Sequence, residues 1–339
     1  MKNRGLILTI IILFATLIIT FVFEAGQSTS KSKDDTEEGH KTVGILQYVS
    51  HPALDEIRRG VEDGLEKAGY VQGKNLTIDY QNGQADQSKL ETMSQQLVQS
   101  NPDALVGIAT PAAQSLANTT KDIPTVLGAV TDPVGANLVD DMQEPGGNLT
   151  GVSDKAPVDQ QMKLAKELLP EVKKVGILYS STEDNSKYQV AEAKKEAERA
   201  GLQVETYPVP SANEITQTVQ TMGDKVDMIY IPLDNTIANA MPTVVNEANK
   251  KEIPIIPSVD TMVEQGGLAT NGVNQYDLGV KSGEMLADIL DGKANPASTP
   301  IYTFDTGDII VNKKQAEELN IELPESVKKE ATFVEEEDE

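Results

Sequence analysis

Apolar positions along the chain fall into two alternating patterns. Short unbroken runs stand at 43–46, 104–108 and 126–130. They lack the period-two alternation of a half-exposed sheet, which suits parallel strands covered on both faces. Between them the apolar positions recur at helical spacing. Leu54, Ile57, Val61, Leu65 and Ala68 share one face, with Pro52 near the start and Gly69 as the stop. Leu90, Met93 and Leu97 form a second stripe behind Asp86 and Ser88, and Val158, Met162, Ala165 and Leu169 a third, ended by Pro170. These stripes predict helix faces packed on sheets, not cofactor-binding boxes.

The pattern then repeats. Val43-Gly44-Ile45-Leu46 returns as Val175-Gly176-Ile177-Leu178, and Ala68-Gly69 returns as Ala200-Gly201 at the same distance. Asp103-Ala104-Leu105-Val106 is answered by Asp227-Met228-Ile229-Tyr230, and Ile123-Pro124 by Ile253-Pro254. A turn-rich stretch, EPGGNLTGVS at 144–153, separates the copies and predicts two lobes rather than one large sheet. A helix at about 276–290 follows the completed second copy, so it is expected to return to lobe one. The expected fold class is α/β, two Rossmann-like lobes with parallel sheets joined by a three-segment hinge, crossing near 151–155, 271–275 and 297–303 with a cleft between. Lobe one is assigned 42–153 plus about 274–298, lobe two 154–273 plus about 299–330, and 331–339 an acidic tail.

The N-terminus is different in kind. Residues 5–23 (GLILTIIILFATLIITFVF) carry no charge and are long enough for a hydrocarbon core of about 30 Å. Lys2 and Arg4 precede the run and Glu24 follows, which places the body outside the cell. An uncleaved anchor over 1–24 is preferred to a cleaved signal peptide, because Phe23-Glu24-Ala25 is a poor cleavage site. The chain is exported in either case, and secreted if the segment is cleaved. Residues 25–41 read as a flexible polar linker.

Composition narrows the chemistry. Lys plus Arg total 29 against 53 Asp plus Glu, a net charge of −24, which argues against nucleic acid. There is no Cys, so disulfides, thiolate metal sites and cysteine nucleophiles are excluded. Two histidines make a His-rich metal or acid–base centre a poor reading, and no acidic pattern marks a metal loop. No G-x-G-x-x-G is present, and Gly69 to Asn75 is one residue short of a P-loop. A hydrolase on Ser50 and His51 is rejected, since sequence neighbours rarely face one another and there is no G-x-S-x-G elbow. No catalysis, cofactor or metal is expected.

What remains is a set of polar residues at the carboxyl ends of predicted strands, where open α/β sheets place ligands. Gln47, Tyr48 and His51 follow the first strand. Thr110, Pro111 and Ala112 open a helix whose free amides suit an anionic group. Ala129, Thr131 and Asp132 follow the next strand; Tyr179, Ser180, Asn185, Asp234, Asn235, Ser258 and Asp260 occupy such places in the second half. Taken singly, such residues usually cap helices or turns. As a collection they suit a zwitterion: helix-end amides and hydroxyls for a carboxylate, Asp260 or Asp234 for an ammonium. Tyr48, Tyr179 and Tyr230 offer stacking faces for a planar side chain.

Several stretches over about 42–325 resemble the substrate-binding proteins of tryptophan/tyrosine-type ABC importers of Gram-positive bacteria, within the type 1 periplasmic-binding-protein superfamily. They are VGILQYVSHPALDEIRRGVEDGLEKAGY, ATPAAQSL, GAVTDPVGANLV, GNLTGVSD, YIPLDNTIANA and GVNQYDLGVKSGEMLADIL. The resemblance implies capture of an amino acid, aromatic and with tryptophan favoured, by a monomer that delivers it to a membrane permease driven by an ATPase. By similarity to branched-chain amino acid binders of the superfamily, Thr110 and the Ala112 amide would hold the carboxylate. The Ala129 carbonyl and Thr131 would take the amino group with Asp260 as counter-charge, and Gln47, Tyr48, Asn185 and Asp234 would surround the substrate. Many relatives are lipoproteins; without a cysteine, the hydrophobic segment would replace the lipid. The same fold binding a nucleoside, sugar or other amino acid, or serving as a sensor ectodomain, is the alternative.

Overall fold

The computed structural model describes residues 39–304 and 306–334. The predicted anchor at 1–24 and nearly all of the linker lie outside the described residues. Among the described residues, no helix is long and apolar enough to cross a membrane.

The first repeat builds β1 (Lys41–Gln47), α1 (Pro52–Lys67), β2 (Leu76–Asn82), α2 (Gln87–Gln99), β3 (Ala104–Ile108), α3 (Thr110–Thr119), β4 (Thr125–Gly128) and β5 (Leu149–Ser153). The second builds α4 (Val158–Leu168), β6 (Lys174–Ser180), α5 (Asp184–Arg199), β7 (Gln203–Val209), α6 (Ile215–Met222), β8 (Met228–Ile231), α7 (Asn235–Asn239), α8 (Met241–Asn249), β9 (Ile255–Pro257), α9 (Asp260–Glu264) and β10 (Ala269–Gly272). The chain then adds α10 (Gln275–Leu290), β11 (Tyr302–Thr303), β12 (Asp308–Val311), α11 (Lys313–Glu318), α12 (Glu325–Glu330) and β13 (Thr332–Phe333).

Lobe one carries a parallel six-stranded sheet in the order β11-β5-β4-β3-β1-β2, and lobe two a parallel four-stranded sheet, β7-β6-β8-β9. The central strands are buried on both faces, which is why their apolar runs do not alternate. Each lobe has its own core, around Ile45, Ile57, Leu65 and Leu105 in one and Ile177, Val219, Tyr230 and Val244 in the other. The repeated aspartates do the same work in both. Asp103 accepts from the Thr42 N–H (2.7 Å), and Asp227 from the N–H groups of Lys173 (2.9 Å) and Lys174 (2.8 Å), tying neighbouring strand starts together.

Helix α10 returns to lobe one by a backbone-on-backbone fit against α1. A Cβ on Gly279 would sit 2.0 Å from the Ile57 carbonyl oxygen, and one on Gly60 would sit 2.2 Å from that of Tyr276. Gly64 and Gly283 repeat the contact one turn on, so only glycine admits this spacing.

Two boundaries differ from the sequence expectation. Tyr302 and Thr303 pair with Val152 and Ser153 in the first sheet, so the last passage between lobes falls after Thr303 instead of near 297–303. A two-residue strand held by main-chain bonds leaves no periodic signal. Thr332 and Phe333 pair with Ile310 and Val311, and Phe333 packs on the lobe-two core, so ordered structure runs past 331. With β10 and β12, which run antiparallel, β13 forms a third, three-stranded sheet that the parallel pattern did not predict.

Candidate functional site

Strands β3 and β4 end on alanines in the left-handed region, Ala109 at φ +72° and Ala129 at φ +60°. An L-residue adopts this backbone only where the surroundings impose it, and such strain gathers at ligand sites. Here the neighbouring strands impose it: the Ala109 N–H donates to the Gly128 carbonyl (3.0 Å) and the Val130 N–H to that of Val152 (3.1 Å). Both alanines line one cavity between the lobes.

The cavity draws on both lobes. Ala53 and Leu54 from one, and Leu233, Ala238 and Val259 from the other, give it apolar walls. Its polar lining comprises His51, Thr110, Thr131, Asp154, Asn185, Asp234, Asn235 and Gln275. The lobes meet across it: His51 Nε2 lies 3.3 Å from Asn235 Oδ1, and Gln114 Nε2 donates to Asp184 Oδ2 at 3.4 Å.

Four buried polar atoms on this lining have no hydrogen-bond partner among the described residues: Thr110 Oγ1, Asp154 Oδ1, Asn185 Oδ1 and His51 Nδ1. A buried polar atom left unpaired costs about 1–3 kcal/mol, and four of them gather on this one lining. Thr110 opens α3. The first intrahelical bond there is from the Ala113 N–H to the Ala109 carbonyl (3.1 Å), so the Thr110 and Ala112 amides stand before the ladder begins. Asp154 stands on the first passage between lobes, and burial pushes its carboxyl up to about 6 against the opposing Thr131 hydroxyl. The Asn185 amide nitrogen is spent on the Leu233 carbonyl (2.8 Å), which leaves its oxygen as an acceptor.

The lobe-two carboxylates are built differently. Asp234 caps α7 by accepting from the Ile237 N–H (2.8 Å), and its other oxygen takes the Ser180 N–H (2.5 Å) and the Ser186 hydroxyl (2.7 Å). Glu183 accepts from the N–H groups of Asn235 (3.2 Å) and Thr236 (2.9 Å) and from both of their side chains. Burial and the Glu183 charge push Asp234 up to about 7.

The expected site residues therefore separate. Thr110, Ala129, Thr131, Asn185, Asp234 and Asn235 share the cavity. Pro111 and Ala112 are buried in the first turn of α3, off the lining itself. Gln47 is fully buried and spent on the Val49 carbonyl and Asp55, both at 2.8 Å. Tyr48 is not on the lining; burial, then the charges of Glu183 and Asp234, hold its hydroxyl in the neutral form. Ser258 belongs to a core network with Tyr230 (2.9 Å).

Asp260 also departs from expectation. It accepts from the Thr261 N–H (2.8 Å) and the Asn274 amide (3.3 Å) and is not on the lining, whereas Asp154 and Asp234 are. Tyr230 is fully buried and donates to Gln161 (2.7 Å), and Tyr179 packs on the lobe-two core, so neither is a stacking face. Sequence reading passed over Asp154, Glu183 and Ala109. Asp154 and Ala109 carried a signal, as the last residue of the GNLTGVSD stretch and the first of ATPAAQSL; Glu183 carried none.

Comparison with known proteins identifies the family and the fold. The chain belongs to the ABC transporter substrate binding protein family, which matches residues 42–335. Its fold is that of the type 1 periplasmic binding proteins, and the family binds solutes rather than transforming them. A tyrosine-binding protein of Clostridioides difficile is 36% identical over 299 residues, 88% of this chain and 86% of that protein. The ABC domain in complex with L-Trp from Streptococcus pneumonia superposes with a TM-score of 0.85 at 54% identity, covering 87% of this chain and 99% of that one. A ligand-free, open substrate binding protein with adhesive properties from Clostridium difficile gives 0.68 at 38% identity, with the same coverage of 87% and 99%.

Proposed function

We propose that this chain is the extracellular binding component of an ABC importer and captures an aromatic amino acid between its lobes. The observation that carries the reading is the set of unpaired groups on one cavity. Asp154 Oδ1 and Asn185 Oδ1 can only accept, as an ammonium requires, while Thr110 and the leading amides of α3 can donate, as a carboxylate requires. The aliphatic walls contributed by both lobes then enclose the side chain. The similarity to tryptophan-bound and tyrosine-binding relatives supports an aromatic substrate.

Closure follows from the same layout. The passages at 154–157, at 273–274 and after Thr303 act as hinges, and a ligand bridging the lobes stabilises the closed form by its contacts to both. The higher superposition score against the ligand complex than against the open relative supports a closed arrangement here. Family membership supports a permease and its ATPase as partners, and the apolar segment at 5–23 a surface tether.

Calorimetric titration of the purified protein tests the reading. Tryptophan or tyrosine should bind, and tryptamine and N-acetyltryptophan, each lacking one charge, should not. Asp154→Asn should weaken the amino acid roughly 30-fold or more, as expected when one partner of a buried charge pair is removed. Binding of nucleosides or sugars with no amino acid response would overturn it.

A further inference from the structure

A chain of three buried groups crosses the cleft and ends at His51. Glu183 accepts from the Asn235 side-chain amide at 2.6 Å. A carboxylate offers only acceptors, so Asn235 must turn its NH₂ toward Glu183 and its Oδ1 the other way. That Oδ1 lies 3.3 Å from His51 Nε2 and can itself only accept, so Nε2 must carry the ring hydrogen. The other ring nitrogen is then a bare lone pair. His51 precedes α1 at the N-cap position but makes no side-chain capping bond, and Nδ1 is buried without any partner among the described residues. The ring is 6% exposed and lines the ligand cavity. Burial favours its neutral form, outweighing Asn235, Glu183 and Asp55, which favour the cation.

We infer that His51 Nδ1 is the acceptor that reads the ligand's side chain, so that the site selects aromatic amino acids bearing a ring N–H or O–H, tryptophan and tyrosine, over phenylalanine. The inference rests on the amino acid reading above and adds a specificity residue to it. Aliphatic walls alone distinguish ring size poorly, whereas a buried acceptor penalises every ligand that leaves it unpaired. Glu183 and Asn235 are positioning residues here, since they fix which nitrogen of His51 is bare.

The test compares dissociation constants for L-tryptophan, L-tyrosine, L-phenylalanine and 3-(3-benzothienyl)-L-alanine, which replaces the indole N–H by sulfur at nearly constant shape. The native protein should favour each donor-bearing ligand over its donor-free counterpart by about tenfold or more. In His51→Leu that ratio should fall toward one while phenylalanine binds at least as well as before. A ¹⁵N spectrum of histidine-labelled protein, which needs no variant to fold, should show the Nε2–H tautomer and a shift of Nδ1 alone on adding tryptophan. Equal affinity for tryptophan and its sulfur isostere, or an Nδ1–H tautomer, would overturn the inference and leave the receptor reading intact. Loss of all amino acid binding in Asp154→Asn alongside an unchanged ratio in His51→Leu would do the same. Absence of any aromatic amino acid binding to the native protein would overturn both.

Discussion

The helices that follow β3 and β8 begin at equivalent places in the internal repeat, yet their first turns are built in opposite ways. α3 opens behind Ala109, which has no side chain to cap it, and the hydroxyl of Thr110 has no partner. α7 opens behind Asp234, which accepts from the Ile237 N–H, while Glu183 covers the two amides before it, those of Asn235 and Thr236. A helix N-terminus carries roughly half a positive charge. In lobe two, buried carboxylates already answer it; in lobe one it is left facing the cavity. A buried charge with its own partners is scaffold, and a buried group without them is a recognition element.

The largest effect expected from breaking this contrast is at Asp234. Asp234→Ala removes a cap and two further buried bonds and should lower unfolding free energy by about 2–4 kcal/mol. Ligand affinity measured on the folded fraction should change far less than in Asp154→Asn. A collapse of affinity at unchanged stability would make Asp234 the ammonium partner and erase the distinction between the two helix ends.

A smaller effect is expected from pH. Burial raises Asp154 to about 6 and, with the Glu183 charge, Asp234 to about 7, both above the ordinary carboxylate range. The folded protein therefore holds protons that the unfolded chain has already released, so these groups stabilise most at low pH and lose that contribution as pH rises through 4 to 7. Burial places Asp260, at about 6, on the same slope. From pH 5 to 7.5 the ligand-free protein should lose stability steadily, as read by chemical denaturation. The two helix ends then separate again. A ligand ammonium paired with Asp154 should release its proton, so affinity should rise as pH passes 6, whereas Asp234 should keep titrating with ligand bound. An affinity independent of pH over this window would remove Asp154 from the site.

How much of this was legible in the sequence follows the same physics. The repeat, the buried strands and the helix stripes were readable because burial on two faces or one imposes a period, and Thr110 was readable because a Pro at N1 marks an open helix end. The edge strand β2, with Asp79, Gln81 and Asn82 in seven residues, gave little signal since only one side of it is paired within the sheet. Asp234 and Asp154 are the same residue type in loops at the cleft. Only the three-dimensional arrangement shows that Ser180, Ser186 and Ile237 converge on the first and that one oxygen of the second is left unpaired. Tyr230 misled because a tyrosine near a strand end looks like a ligand wall, while its hydroxyl is satisfied inside the core by Gln161 and Ser258.

The smallest effect, and the sharpest use of the comparison, is Thr110→Ala. Thr110 and Asp234 sit at matched positions in the two copies, so the same truncation at each should have opposite consequences. Removing the Asp234 side chain takes away bonds the protein makes with itself; removing the Thr110 hydroxyl takes away an unpaired buried group. Thr110→Ala should leave stability unchanged or slightly higher and weaken the amino acid by about tenfold, the low end for one hydrogen bond to a charged group. Serine at this position should restore affinity, because the hydroxyl and not the methyl is the contact. A drop in stability comparable to that of Asp234→Ala, with affinity intact, would mean that both helix ends are scaffold and that the carboxylate binds elsewhere.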